Sequence, residues 1–277
     1  MLQPMMRLSL LFWALLLLGC DGSAPLATET ATTSEAVAEA TPENGVEASA
    51  RGSEDGQLHA VTDRYEYRVR WSAELAGEEG MQAAVRAIAD DRLQEFIEAA
   101  AAAPADGARW TLELGFSSCA GTPTLRCIAG DGSVFTGGAH PLPIIERLLY
   151  ATPQSKALRP DQLFTDADAA LRAISTHARE LLLIQRIAQA TVAGAPADAA
   201  ARAQMRGEIT SGAEPSAANY RLAEPVVSAS GRINALKFLF APYQVASYAE
   251  GTLFAEVPAS VFAEWLRPEF AGEFVTR

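Results

Sequence analysis

The chain has 277 residues, with 34 acidic against 22 basic side chains, a net charge of −12 at pH 7 and 49 % hydrophobic residues. That balance argues against nucleic acid as a partner, because phosphate contacts need clustered Lys and Arg. Three histidines and three cysteines, widely spread, exclude a histidine-rich metal site, and no cofactor is expected.

Leu8 to Leu18 is an apolar run preceded by Arg7 and closed by Gly19. As a helix it would reach roughly 16 Å, against about 30 Å of bilayer hydrocarbon. It therefore reads as residues 1–19 of a secretory signal, not as a span. Leu17-Leu18-Gly19-Cys20 resembles the bacterial lipobox, in which cleavage exposes a cysteine that receives lipid. Two or three acyl chains anchor a protein stably where one does not. The reading is a periplasm-facing lipoprotein held to a membrane through Cys20, the inner or outer membrane being left open. Counted from Cys20, the charge is 21 basic less 34 acidic, or −13.

Residues 20–57 carry eight acidic side chains against Arg51 alone and no aromatic residue. Such a composition buries too little apolar surface to offset chain entropy. It predicts a disordered tether with a reach of roughly 35 Å.

Beyond it, Tyr65 to Trp71 alternates large and charged side chains as a strand does. Val85, Ile88, Ala89, Leu93, Phe96 and Ile97 mark one stripe of a helix that ends before Pro104. Trp110 to Leu114 returns to strand alternation. Residues 58–130 thus form a small strand-helix-strand lobe, and 131–277 a second domain.

Cys119 and Cys127 are expected to pair in an oxidising compartment, with Gly121-Thr122-Pro123 as the reversal between them. No CxxC and no neighbouring histidine favours a redox or metal role. A meander follows: Leu125 to Ile128, a turn at Asp131-Gly132, Ser133 to Thr136, and Ile144 to Tyr150. Thr165 and Asp168 have capping-box spacing ahead of a helix through Leu171, Ile174, Ala178, Leu181 and Leu182. The Ala-rich stretch from Gly194 to Pro215 has room for a short helix. Strands are expected at Tyr220 to Leu222, Leu236 to Phe240 and Leu253 to Val257. Pro258 opens a closing helix through Phe262, Trp265 and Leu266, stopped by Pro268. The class is α+β, with antiparallel sheets and packed helices after a signal peptide and a disordered tether.

Three stretches in this order carry a resemblance: Gly137-Gly138-Ala139-His140; Leu158 to Phe164, leading into a helix; and the tail with Pro242-Tyr243, Tyr248-Ala249-Glu250-Gly251 and Val257-Pro258. Together they resemble the RsiV-type extracytoplasmic domain family, a domain of unknown function also found beside the catalytic domain of the polysaccharide deacetylase PdaC. The resemblance implies an envelope-facing recognition module, which in RsiV resembles a receptor for lysozyme and in its relatives accompanies cell-wall enzymes. The chain departs from the family at Gln162, in place of an aspartate, and at Pro141-Leu142-Pro143 after the histidine.

His140, with Gly137 and Gly138 beside it, is the candidate ligand contact, alongside a simpler role as a turn histidine. Tyr243 and Tyr248 are candidates for a sugar- or protein-binding face. His177 reads as half-buried structure on its helix. No GxSxG, SxxK or HExxH motif is present. The leading reading is therefore a non-catalytic binding or sensing module for cell-wall peptidoglycan or a lysozyme-like muramidase. Two alternatives remain open: a cell-wall glycan hydrolase using carboxylates among Glu113, Asp131 and Glu146, and a structural envelope lipoprotein with protein partners only.

Overall fold

The computed structural model describes residues 56–276, apart from 105, 106 and 196. The expected signal, Cys20 as the expected lipid site and all but the end of the expected tether lie outside the described residues.

β1 (Gln57–Val61) and β2 (Tyr65–Trp71) form an antiparallel pair. In β2, Tyr67, Val69 and Trp71 are buried while Glu66, Arg68 and Arg70 lie between them, as the alternation requires. A single turn, α1 (Ala73–Ala76), leads into α2 (Glu79–Ala102). Met81, Val85, Ala89, Leu93, Phe96 and Ala100 are buried along one side of α2, at spacings of three and four. They seal one face of the sheet.

β3 (Trp110–Cys119) lies parallel to β2, with Tyr67 opposite Leu112. This pair departs from the antiparallel expectation because α2 acts as a crossover, which returns the chain in the direction it left. β3 and β4 (Leu125–Phe135) are a hairpin, with Cys119 directly opposite Cys127 and the two joined as a disulfide. β5 (Leu142–Ala151) and the short β6 (Lys156–Leu158) complete a sheet of order β1-β2-β3-β4-β5-β6.

The turn expected at Asp131-Gly132 does not form; β4 runs straight through it. The glycines there serve close approach. A Cβ on Gly132 would fall 1.9 Å from the Glu113 carbonyl oxygen, and one on Gly130 would fall 2.6 Å from the Phe116 ring.

α3 (Ala167–Val192) is capped by Asp166, whose carboxylate accepts from the Ala169 N–H at 2.9 Å. Thr165, the expected cap, instead donates both its N–H and its hydroxyl to the Trp265 carbonyl. The Ala-rich stretch does contain a helix, α4 (Ala199–Gly212), capped by Asp198. Beyond it β7 (Ala223–Val227), β8 (Ile233–Phe240) and β9 (Leu253–Pro258) form a three-stranded antiparallel sheet on which α3 packs. Tyr220 precedes β7 as a buried anchor, edge-on to Phe238 and Phe240, with its hydroxyl donated to the Ala213 carbonyl.

The closing helix from Pro258 is replaced by two 3-10 turns, and Pro268 starts the short α5 (Pro268–Ala271) instead of ending a helix. The backbone of 265–267 pairs with 163–165: Trp265 O accepts from Thr165, and Arg267 N–H donates to Leu163 O at 2.9 Å. Those groups are unavailable for a helical ladder. Phe262 is meanwhile buried edge-on against Phe164 and Phe274.

Two hydrophobic clusters share the middle of the chain. Leu149 and Ala151 belong to the cluster of α3 and the smaller sheet, whereas Tyr150 between them belongs to that of α2. The end of β5 is thus buried on both faces. The division expected at 130/131 falls inside β4, and the cores meet at β5 instead.

Candidate functional site

His140 sits in the exposed loop between β4 and β5, where Gly137 takes a φ of 87°. Such an angle favours glycine, since it carries no Cβ. Gly138 is not among the residues with positive φ, so only one of the two glycines bends the loop in the expected way.

The His140 ring stacks on Tyr248, with centroids 4.0 Å apart and planes at 23°. The Tyr248 hydroxyl donates to the Pro141 carbonyl at 3.0 Å, and His140 Nδ1 lies 3.3 Å from the same oxygen. The Pro141 carbonyl therefore anchors the loop. Tyr243 also leans on Tyr248, with centroids 5.7 Å apart and planes at 33°. Its side chain is 64 % exposed, and its backbone sits at a φ of 71°, an unusual position for a non-glycine residue. His140 and, more than a hundred residues further along the chain, Tyr243 and Tyr248 thus form one aromatic face, with His140 and Tyr243 exposed and Tyr248 half-buried.

The scaffold under this face is rigid. Tyr248 opens a 3-10 turn closed by Glu250, whose carboxylate accepts from the backbone and hydroxyl of Ser247. Buried Arg186 of α3 grips the same carboxylate with two bonds, at 2.8 and 2.9 Å. It also donates to Glu208 on α4 at 2.7 Å and to the Val245 carbonyl at 3.0 Å. Hydrogen bonds from Gln204 and then Arg186 hold the Glu208 carboxyl below its ordinary range. Gln244 donates to the carbonyls of Gly212 and Asn219, each at 3.1 Å. Tyr243 and Tyr248 are thus backed by α3 and α4, while His140 reaches them from the β4–β5 loop.

Beside the face lies a cavity of about 300 Å³. Thr136 and Pro143, which flank the histidine loop, line it, as does Ala241 before Tyr243. Phe96 and Trp110 form an aromatic wall, with ring centroids 6.4 Å apart. At the polar end Arg92 donates to Glu146 Oε1 from Nε at 2.8 Å and from Nη2 at 2.5 Å, while Arg221 reaches Oε2 at 3.3 Å. Sequence reasoning did not find this cleft. Its only local signal was a charged Arg221 between the buried Tyr220 and Leu222.

The three carboxylates considered for hydrolysis do not converge. Strand alternation puts Glu146 on the α2 side of the sheet and Glu113 and Asp131 on the other. Asp131 is held by Arg147 at 3.0 Å, and Glu113 lies 3.6 Å from Arg68. The cavity lining includes Glu146 but neither of the others. His177 is half-buried on α3, and no group of three metal-ligating side chains occurs among the described residues. No helix among them is long and apolar enough to cross a membrane.

No protein-family model matches the chain, and no curated protein matches it either. Among solved structures, a DUF3298 family protein from Pseudomonas aeruginosa PAO1 superposes with a TM-score of 0.50 at 12 % identity, over 78 % of this chain and 97 % of that one. A member of the same family from Bacteroides fragilis NCTC 9343 gives a TM-score of 0.44 at 14 % identity, over 78 % and 94 %. The chain, a six-stranded and a three-stranded sheet packed with helices, shares its α+β fold with the first of these DUF3298 proteins.

Proposed function

We propose that this protein is a non-catalytic binding module of the RsiV-type extracytoplasmic kind, fixed to a membrane through lipid on Cys20 and facing the cell wall, with peptidoglycan glycan as its ligand. The observation that carries the reading is the exposed stack of His140, Tyr248 and Tyr243 beside a cleft walled by Phe96 and Trp110. Sugar rings present an apolar face of C–H groups that packs on aromatic side chains, whose polar tips bond the hydroxyls. Tyr and His in a rigid frame supply that contact at little entropic cost. The lipobox and the acidic tether support the placement, since a reach of roughly 35 Å carries the folded part off the bilayer.

A second reading, a lysozyme-like muramidase as the ligand, is favoured by the net charge of −12, which steers a basic protein towards this one.

The test is retention of the full-length lipoprotein, in detergent, on isolated sacculi and separately on immobilised lysozyme. Retention on sacculi that falls about tenfold in Tyr248→Ala supports the glycan reading. Retention on neither matrix overturns both. In cells, labelled palmitate should enter the parent protein and not Cys20→Ala; incorporation into neither form would remove the anchor from the proposal.

A further inference from the structure

Resting on the glycan branch of that reading, we infer that the cleft between α2 and the β7 segment is a subsite for one sugar unit that carries a free carboxylate, as muramic acid does where its stem peptide has been removed, with Arg221 as its partner. The argument starts from the guanidinium groups in the cleft. Arg92 is consumed: Nε and Nη2 go to Glu146, and Nη1 goes to Glu95 at 2.9 Å. Arg221 differs. Its side chain is 46 % exposed, it makes one 3.3 Å bond to Glu146, and its other N–H groups donate to no protein atom among the described residues.

A planar guanidinium with two adjacent free donors matches a carboxylate, which accepts two parallel bonds from it. Glu146 does not cancel this capacity, because its own carboxylate is already gripped by Arg92. In a chain of net charge −12, an anionic group needs such a local cation. Trp110 and Phe96, which line the same cavity as Arg221, offer apolar surface for the flat side of a pyranose. The volume of about 300 Å³ stands at the small end of ligand pockets, sized for one ring and not for a length of chain. The aromatic face at the mouth would take the neighbouring units, since Thr136, Pro143 and Ala241 join the two sites through the backbone.

The test uses the full-length protein in detergent with two soluble probes, N-acetylglucosaminyl-N-acetylmuramic acid, which bears a lactyl carboxylate, and neutral N,N′-diacetylchitobiose. Calorimetry gives affinity, and tryptophan fluorescence reports on the Trp110 wall. The acidic disaccharide should bind at least about tenfold tighter than the neutral one. Arg221→Gln should abolish that preference and leave the far-UV circular dichroism unchanged. Equal affinity for both sugars overturns the inference, as does a preference that survives in Arg221→Gln. Retention on sacculi or lysozyme without disaccharide binding overturns the subsite and leaves the binding-module reading standing. Retention on neither, with no disaccharide bound, overturns both.

Discussion

Arg147 of β5 donates from Nε to the Glu224 carboxylate of β7 at 2.5 Å, and this pair ties the six-stranded sheet to the three-stranded one. The side chains are only 7 % and 15 % exposed. Lys237 also pairs with Glu224, and Arg147 also holds Asp131. Removing one partner from a pair so withdrawn from water leaves the other charge without compensation. Arg147→Ala should therefore lose about 3 kcal/mol in urea denaturation. The double change Arg147→Met with Glu224→Leu should lose less than Arg147→Ala alone, and equal losses would contradict this account.

The same cluster sets an acid dependence. Burial alone would push the Glu224 carboxyl up, but hydrogen bonds from Lys237 and Arg147 outweigh it and hold the group below its ordinary value of 4.5. The unfolded chain then binds this proton more readily than the folded one. The stability it contributes is complete above the ordinary carboxylate range and is lost as pH falls through the lowered folded value. Glu208 is shifted in the same direction and adds to the slope. Glu224→Gln should be less stable than the parent at pH 7 and show a shallower fall in Tm between pH 5 and 3. Parallel acid limbs in the two proteins would count against it.

Tyr243 pairs an exposed ring with a left-handed backbone. Such a conformation costs on the order of 1 kcal/mol for a non-glycine residue. Tyr243→Gly should leave the melting temperature unchanged or raise it, while retention on sacculi falls severalfold. A variant that loses stability and binding together would make the ring structural.

The Cys119–Cys127 disulfide closes a ring of about nine residues at the β3–β4 hairpin. The chain-entropy model gives it about 2.5 kcal/mol. Cys119→Ala with Cys127→Ala should lose that amount, and reductant should lower the Tm of the parent but not of the double variant.

Short-range regularities were legible because each rests on one element at a time. The alternation of β2, the stripe of α2, the apolar face of α3 and the cysteine hairpin all follow from the periods of strand and helix and from turn chemistry. So did the individual members of the aromatic face, His140, Tyr243 and Tyr248, each marked by its local setting. The failures share a cause. Asp131-Gly132 looks like a turn until Glu113 and Phe116 are seen pressing on β4. Residues 259–267 look like a helix until the Trp265 carbonyl and the Arg267 amide are seen bonded a hundred residues away.

By itself, then, the order of residues determined β2, the long helices α2 and α3, and where charge, cysteine and aromatic groups are available. Tertiary structure alone decided that β2 and β3 run parallel, that the end of β5 is buried on both faces, and that Arg221 lines one cavity with Phe96 and Trp110. The reason is physical. Periodicity reports the one face an element must hide, whereas the partner that hides it, and the polar groups brought together when it does, depend on how the faces of distant elements fit.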